Sequence, residues 1–458
     1  MLAPENSASR KLADFAVGVS YDQLPQPVID RLKSCILDAL GCCIFGVTLP
    51  WTRMLIDFVD EEGGNPQSRI IGCGRRTSVS QAVLIGATAG HGFEMDDIHA
   101  TAHLHAGSLA IPTALALADA QPPIDGRKFI AAIAAGYEVG LRVALAATGK
   151  LFMRGHHFQG VCGPFVAAAT AANLLRLKPD AALHALGIAG SFGAGLMAAQ
   201  EGAMSKRLHC GRAAQAGVYG AFLAARGFTG IPNVLEASYG GFLSTYSGEP
   251  KMECLTGGLG NHWEILNVGF KPYATAASVQ SVLFAIGALM SENSLGASDI
   301  DQVVIHCSSM AHRHCAWPYE PTGVTAAQMN LFFTSAMMIL DRNAMLDQFR
   351  EDRLADPAAL AMIERIHIEV DPNYDVGGDA SRHSARVLLI CKDGSRHERE
   401  VLERPGSPGN PLTPRQLERK FEALAAAVLA DARIPQVVDA VADLEDRHAH
   451  SLTDLVTT

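Results

Sequence analysis

Charge is scarce in this chain: Lys, Arg, Asp and Glu together make up 18% of 458 residues, and aromatic side chains only 6%. Acids outnumber bases, leaving a formal net charge of −10 at pH 7. That balance excludes a nucleic-acid partner, which would need a basic face. It still allows an anionic small molecule, because a few inward lysines and histidines make a locally positive pocket. Paired cysteine spacing is also absent. The ten cysteines are scattered, with Cys42 and Cys43 adjacent and no CxxC. Together with an N-terminus that lacks a secretory pattern, this predicts reduced thiols in a cytoplasmic protein. No apolar run reaches the roughly 18 to 20 residues of a membrane span without a charge, glycine or polar interruption, so no membrane partner is expected. There is no glycine-rich dinucleotide fingerprint, no P-loop and no HExxH. Neither an organic cofactor nor a metal is therefore expected.

Small and apolar residues are abundant: 48% of the chain is hydrophobic, and there are 43 glycines. Such residues let helices approach closely, so a compact helical body is expected. The length predicts two domains. Apolar residues three or four apart predict helices over 8–18, 26–46, 77–93, 107–120, 127–149, 160–175, 180–200 and 210–226. After Lys271 the pattern changes. Short apolar or alternating runs at 303–306, 366–370 and 387–390 read as strands, with helices at 275–291 and 325–341 between them. Pro405, Pro408, Pro411 and Pro414 mark a linker, and Thr413 is a plausible N-cap for a helix through Leu429. The fold class is mostly α, with a helical domain over 1–270 plus 405–458 and a smaller α+β domain over 271–404.

The densest chemistry lies between His91 and His105, where Glu94, Asp96, Asp97 and four histidines fall within fifteen residues. Carboxylates and imidazoles in small, apolar surroundings move protons near neutral pH, or hold a metal. Asp96 with His99, His103 and His105 is the metal alternative. Against it, His103 and His105 are two apart, which suits a strand or loop but not a helix face. A purely structural cluster is the third reading.

Three further segments carry charge or histidine where a helix begins or a loop turns. Gly155-His156-His157 precedes an alanine-rich helix, a place that favours anions. Ser205 to Arg212 holds Lys206, Arg207, Arg212 and His209 at the head of an otherwise uncharged helix. Lys271 lies where the helical pattern gives way. The loop from His312 to Pro321 contains Tyr319 together with His312 and His314, and the two histidines are equally readable as surface residues.

These segments together resemble the MmgE/PrpD family over nearly the whole chain. His91, Asp96, Asp97 and His99 match its acidic motif, and His105-Ala106-Gly107 stands where it has His-Pro-Gly. His157, Lys206 with His209, and Lys271 fall on its remaining motifs. Tyr21 to Pro25, Leu37 to Gly41, and Pro408 to Phe421 resemble its opening and closing segments. The resemblance implies a helical domain with an α+β lid, a homodimer, and proton chemistry beside a carboxylate without a cofactor. It implies Asp96, His105, His157, Lys206 and Lys271 as catalytic residues. Glu94, Asp97, His99, His209, Arg212 and Tyr319 would bind a small polycarboxylate. The lysines would stabilise the enolate, while His105 or a carboxylate of the 94–97 cluster takes the proton. The leading expectation is a 2-methylcitrate dehydratase-like hydro-lyase. A cis-aconitate-type decarboxylase and an iminodisuccinate-type epimerase are alternatives within the family, and a non-catalytic polycarboxylate-binding homologue is the alternative of another class. Glu94, Ile98 and Ala106 depart from the family pattern at the pocket wall, where specificity is set.

Overall fold

The computed structural model describes residues 6–378 and 381–457. Its larger hydrophobic core is built by helices Ala8–Gly18, Gln26–Gly46, Gly107–Asp119, Gly126–Ala147, Phe158–Leu174, Pro179–Gly190 and Ser205–Ala224. Several of these are apolar on every side because they are surrounded by other helices. Gly126–Ala147 is long and apolar enough to cross a membrane, but it lies buried in this core. Its crossing with Phe158–Leu174 depends on small residues. A Cβ on Gly136 would meet the Thr170 hydroxyl at 2.0 Å, and one on Gly140 would meet Val166 Cγ2 at 2.1 Å.

A second core gathers mostly residues between Ala274 and Val401. Its sheet runs in the spatial order Ile366–Val370, Ile300–Cys307, Ala385–Cys391, Arg396–Val401. The first pair is parallel and the other two are antiparallel. Helices Gln280–Glu292 and Leu331–Asp341 pack with it. The chain then returns to the first core. Thr413 caps helix Pro414–Ala425 as expected, and Phe421 packs against Gly41.

Some elements differ from the sequence expectation. The helix expected over 180–200 stops at Gly190, and the following loop supplies the Gly195 carbonyl that accepts the His157 N–H. The expected 325–341 helix breaks at Asn330. Its side chain accepts from the Phe333 N–H and donates to the Trp317 carbonyl, so it caps a new helix. Helix Pro50–Glu62 and strand Arg396–Val401 had no counterpart in the periodicity reading.

Candidate active site

Residues 91–105 leave helix Val79–Gly90 as a buried loop. Glu94 and His103 both take left-handed backbone, with φ of 57° and 53°. Side chains other than glycine rarely adopt this region, so the surrounding contacts must hold the loop in place. Three ties are visible. Ile98–His99 pairs antiparallel with Val268–Gly269, which brings Lys271 alongside the loop. Lys420, from the returning helix, donates to Asp38 at 2.6 Å and to the Met95 carbonyl. Asp97 accepts from the Tyr137 hydroxyl at 2.6 Å and from the Gly107 N–H at 3.0 Å, fixing the start of the next helix.

Gly107 is needed at this joint. A Cβ there would lie 2.7 Å from the Tyr137 oxygen and 2.8 Å from Asp97 Oδ1. Gly107→Ala is therefore expected to cost about 1–3 kcal/mol of stability by overpacking. Urea denaturation measures this, and an unchanged midpoint would show that the joint tolerates a side chain.

The loop and several other segments line a cavity. Its walls include His91, Glu94, His103, His105, His157, Lys206, Lys271, Ser278, His314, Arg382 and His383. Its free volume is about 60 Å³. A wider cavity of about 350 Å³ lies immediately outside and shares Phe152, Met197 and His314 with it.

Glu94 is the electrostatic hub. Lys206 and Arg207 donate to its Oε1, and Lys271 lies 3.3 Å from its Oε2. Burial opposes ionisation of Glu94, but Lys206, Lys271 and Arg207 hold its carboxyl well below the usual range. Asp96 sits just behind, with Oδ2 2.7 Å from His91 Nδ1 and Oδ1 3.3 Å from His105 Nδ1 and 3.6 Å from Lys271 Nζ. Burial opposes its ionisation too, and His105, His91 and Lys271 overcome it. Three fixed cations thus face two carboxylates here, a positive interior within an acidic chain.

His105 is pinned by its surroundings. Its Nδ1 lies 2.7 Å from the Asp97 carbonyl, so that nitrogen carries the proton, leaving Nε2 as the acceptor. Gln159 holds its main chain from both sides, accepting its N–H at 3.1 Å and donating to its carbonyl at 2.8 Å. His91, pushed down to about 4 by burial, is a neutral imidazole donating to Asp96. His157 stands at the N-cap position of helix Phe158–Leu174, and its Nδ1 lies 3.0 Å from His209 Nδ1, one of the two being the donor. Burial above all, with the neighbouring imidazoles and Lys206 adding to it, pushes His157 well down.

Glu94, His105, His157, Lys206 and Lys271 therefore share one cavity, with Asp96 directly behind it and His209 in contact with His157. The other expected substrate ligands lie elsewhere. Asp97 is turned into the helix joint, and burial raises its carboxyl to about 7. His99 faces Glu264 at 3.2 Å. Arg212 is exposed and lines a separate surface groove with His209. Tyr319 stacks on Phe333 and donates to the Leu354 carbonyl. Sequence reasoning gave no role to Gln159, Ser278, Arg382 or His383, whose places depend on tertiary packing. His91 and His314 were quoted in motifs without being assigned to the site.

His99, His103 and His105 do not converge as a metal site: His103 stacks on Phe158 while His99 pairs with Glu264. His91, Asp96 and His105 do offer ligand atoms within 4.8 Å of one another. The Lys271 ammonium 3.6 Å from Asp96 opposes a second cation there. Dialysis against a chelator is accordingly expected to leave activity unchanged, and activity restored only by added metal would reverse this.

Lys206 is pushed down to about 8, burial outweighing the pull of Glu94. If its ammonium form is the active one, kcat/KM falls as pH rises through about 8, and Lys206→Arg moves that fall to higher pH. A profile flat to pH 10 would contradict the assignment.

Imidazoles, lysines and carboxylates gathered around one cavity are groups that can move protons and hold an anion. Residues 10–255 match the MmgE/PrpD N-terminal domain and residues 273–444 the MmgE/PrpD C-terminal domain. The chain belongs to the MmgE/PrpD family. It is 30% identical to a cis-aconitate decarboxylase of Aspergillus terreus, covering 96% of this chain and 94% of that protein. It is 29% identical to the cis-aconitate decarboxylase-like protein oryM of Aspergillus oryzae, over 96% and 95%. It is 27% identical to the human cis-aconitate decarboxylase, over 96% and 92%.

Proposed function

We propose that this chain is a lyase of the cis-aconitate decarboxylase type, acting on a small polycarboxylate without a bound cofactor. The observation that carries this reading is the pairing, in one cavity, of His105 with the buried cations Lys206 and Lys271. Loss of CO2 leaves the electrons of the broken C–C bond on carbon beside a remaining carboxylate. Ammonium groups at that carboxylate stabilise the resulting enolate-like anion. A protonated imidazole then places a proton on carbon, so that a carboxylate and a proton become CO2 and a C–H bond. His105 is suited to this role, and His157, handing a proton along from His209, is suited to assist.

The hydro-lyase expected first passes through the same kind of anion, so the geometry suits both reactions. The named relatives favour decarboxylation. The division into a helical domain and an α+β lid is part of the proposal, supported by the two hydrophobic cores. So is a homodimer, supported by Met54, Phe58, Met204 and Leu208, exposed around one apolar groove.

The test is a panel of cis-aconitate, 2-methylcitrate, citrate and iminodisuccinate, with CO2 release and product identity both recorded. CO2 from cis-aconitate supports the reading. Dehydration of 2-methylcitrate without CO2 would restore the hydro-lyase, and inertness toward all four would favour a binding protein.

A further inference from the structure

Decarboxylation by the route above consumes a proton in every cycle. His105 gives one to carbon and must regain one before the next turnover. The wall of the cavity offers a supply line. His157 lines the cavity. His209 instead lines the surface groove, together with Gly195, Leu196, Ser205 and Arg212. Among the described residues, none that lines this groove also lines the cavity. The two rings meet between these spaces, Nδ1 to Nδ1 at 3.0 Å. Nitrogens facing each other in this way must share a proton, one ring donating and the other accepting.

The backbone builds this meeting. His209 stands one turn into helix Ser205–Ala224, and His157 at the head of helix Phe158–Leu174. The His157 N–H donates to the Gly195 carbonyl at 3.0 Å. A Cβ on Gly195 would come within 3.2 Å of His209 Nδ1 and 3.4 Å of His157 Cβ, so the loop lies close against the pair. Burial lowers the basicity of both rings, and a proton reaching either one is passed on. On the inner side, the His91 ring lies 5.7 Å from that of His157 and 5.0 Å from that of His105, centre to centre. Its Nδ1 is committed to Asp96, and its Nε2 is buried without a hydrogen-bond partner among the described residues. That nitrogen is a free acceptor beside both rings.

We propose that His209 and its groove form a proton port, through which solvent recharges the site by way of His157. Solvent puts a proton on the ring's free nitrogen, His209 Nε2. The His209 Nδ1–H bond breaks as the His157 Nδ1–H bond forms. His157 releases its Nε2 proton into the cavity, where His105 Nε2 takes it up. One proton enters from solvent for each one delivered to carbon. This rests on the proton-transfer reading above, and adds where the proton comes from.

The test is His209→Ala in weakly buffered solution, with whichever acid of the panel is turned over. Recharging follows the loss of CO2, so its rate enters kcat and not kcat/KM. The variant is expected to lose about a hundredfold in kcat, the lower end of what a positioned proton carrier contributes, with kcat/KM within about twofold of wild type. Added imidazole, which fits the space left by the ring, is expected to restore much of the lost kcat while leaving the wild type unchanged. Thermal melts identify a misfolded variant, and the kcat against kcat/KM split of His209→Gln then carries the test. An unchanged kcat, or equal losses in kcat and kcat/KM without rescue, overturns the port. If 2-methylcitrate is dehydrated without CO2 and the loss is rescued by imidazole, the port stands and the decarboxylase reading fails. If cis-aconitate releases CO2 and His209→Ala keeps wild-type kcat, the port alone fails. Turnover of none of the four acids overturns both.

Discussion

His105→Gln is expected to lower kcat by about a thousandfold, within the range for loss of a positioned acid–base group, while KM changes by less than about threefold. The expectation follows from how the ring is held. Nδ1 is committed to the Asp97 carbonyl at 2.7 Å, and Gln159 clamps the main chain on both sides. Only Nε2 remains for substrate, and the lining of the cavity includes this ring. Glutamine can retain a polar contact, but it cannot take up and release a proton near neutral pH. Steady-state kinetics with the preferred substrate check this. A variant that keeps more than about a tenth of wild-type kcat would remove His105 from proton transfer and pass the role to His157.

Lys271→Met is expected to reduce kcat/KM by about a hundredfold or more, since one preorganised charge at a developing anion contributes on the order of 3 kcal/mol. Lys271 is wholly buried, lying between Glu94 at 3.3 Å and Asp96 at 3.6 Å. Methionine approximates the length of the stem without its charge. Glu94 keeps Lys206 and Arg207, so the fold is expected to survive, as circular dichroism would show. Near wild-type kinetics in a folded variant would mean that Lys271 serves only to neutralise the two carboxylates.

Much of the helical core was legible because periodic apolar runs bounded by Pro, Gly or a capping residue leave few alternatives. Gln26–Gly46 and Thr413 with Pro414–Ala425 are examples. Strand Arg396–Val401 was not legible, because this edge strand reads Arg-His-Glu-Arg-Glu-Val, with charge on both faces and little apolar alternation. At the site, the motifs around His91, His157, Lys206 and Lys271 announced themselves through local concentrations of charge and histidine. Asp97 was misplaced among the substrate ligands because adjacent carboxylates look alike in sequence. In space one faces imidazoles and the other supports a helix N-terminus. Arg382 and His383 had no local signal at all. They reach the cavity only because the second core folds against the acidic loop through the Ala100 carbonyl.

The central claim is that negative charge develops on a substrate carbon beside a carboxylate and is quenched by an enzyme proton. The most direct measurement is NMR of the product formed from cis-aconitate in D2O, with CO2 quantified in parallel. The account predicts one CO2 and one solvent-derived deuterium on carbon per product molecule, with both yields falling together in His105→Gln. Product formed with CO2 loss but without deuterium on carbon, or polycarboxylates returned unchanged with no exchanged position, would contradict it.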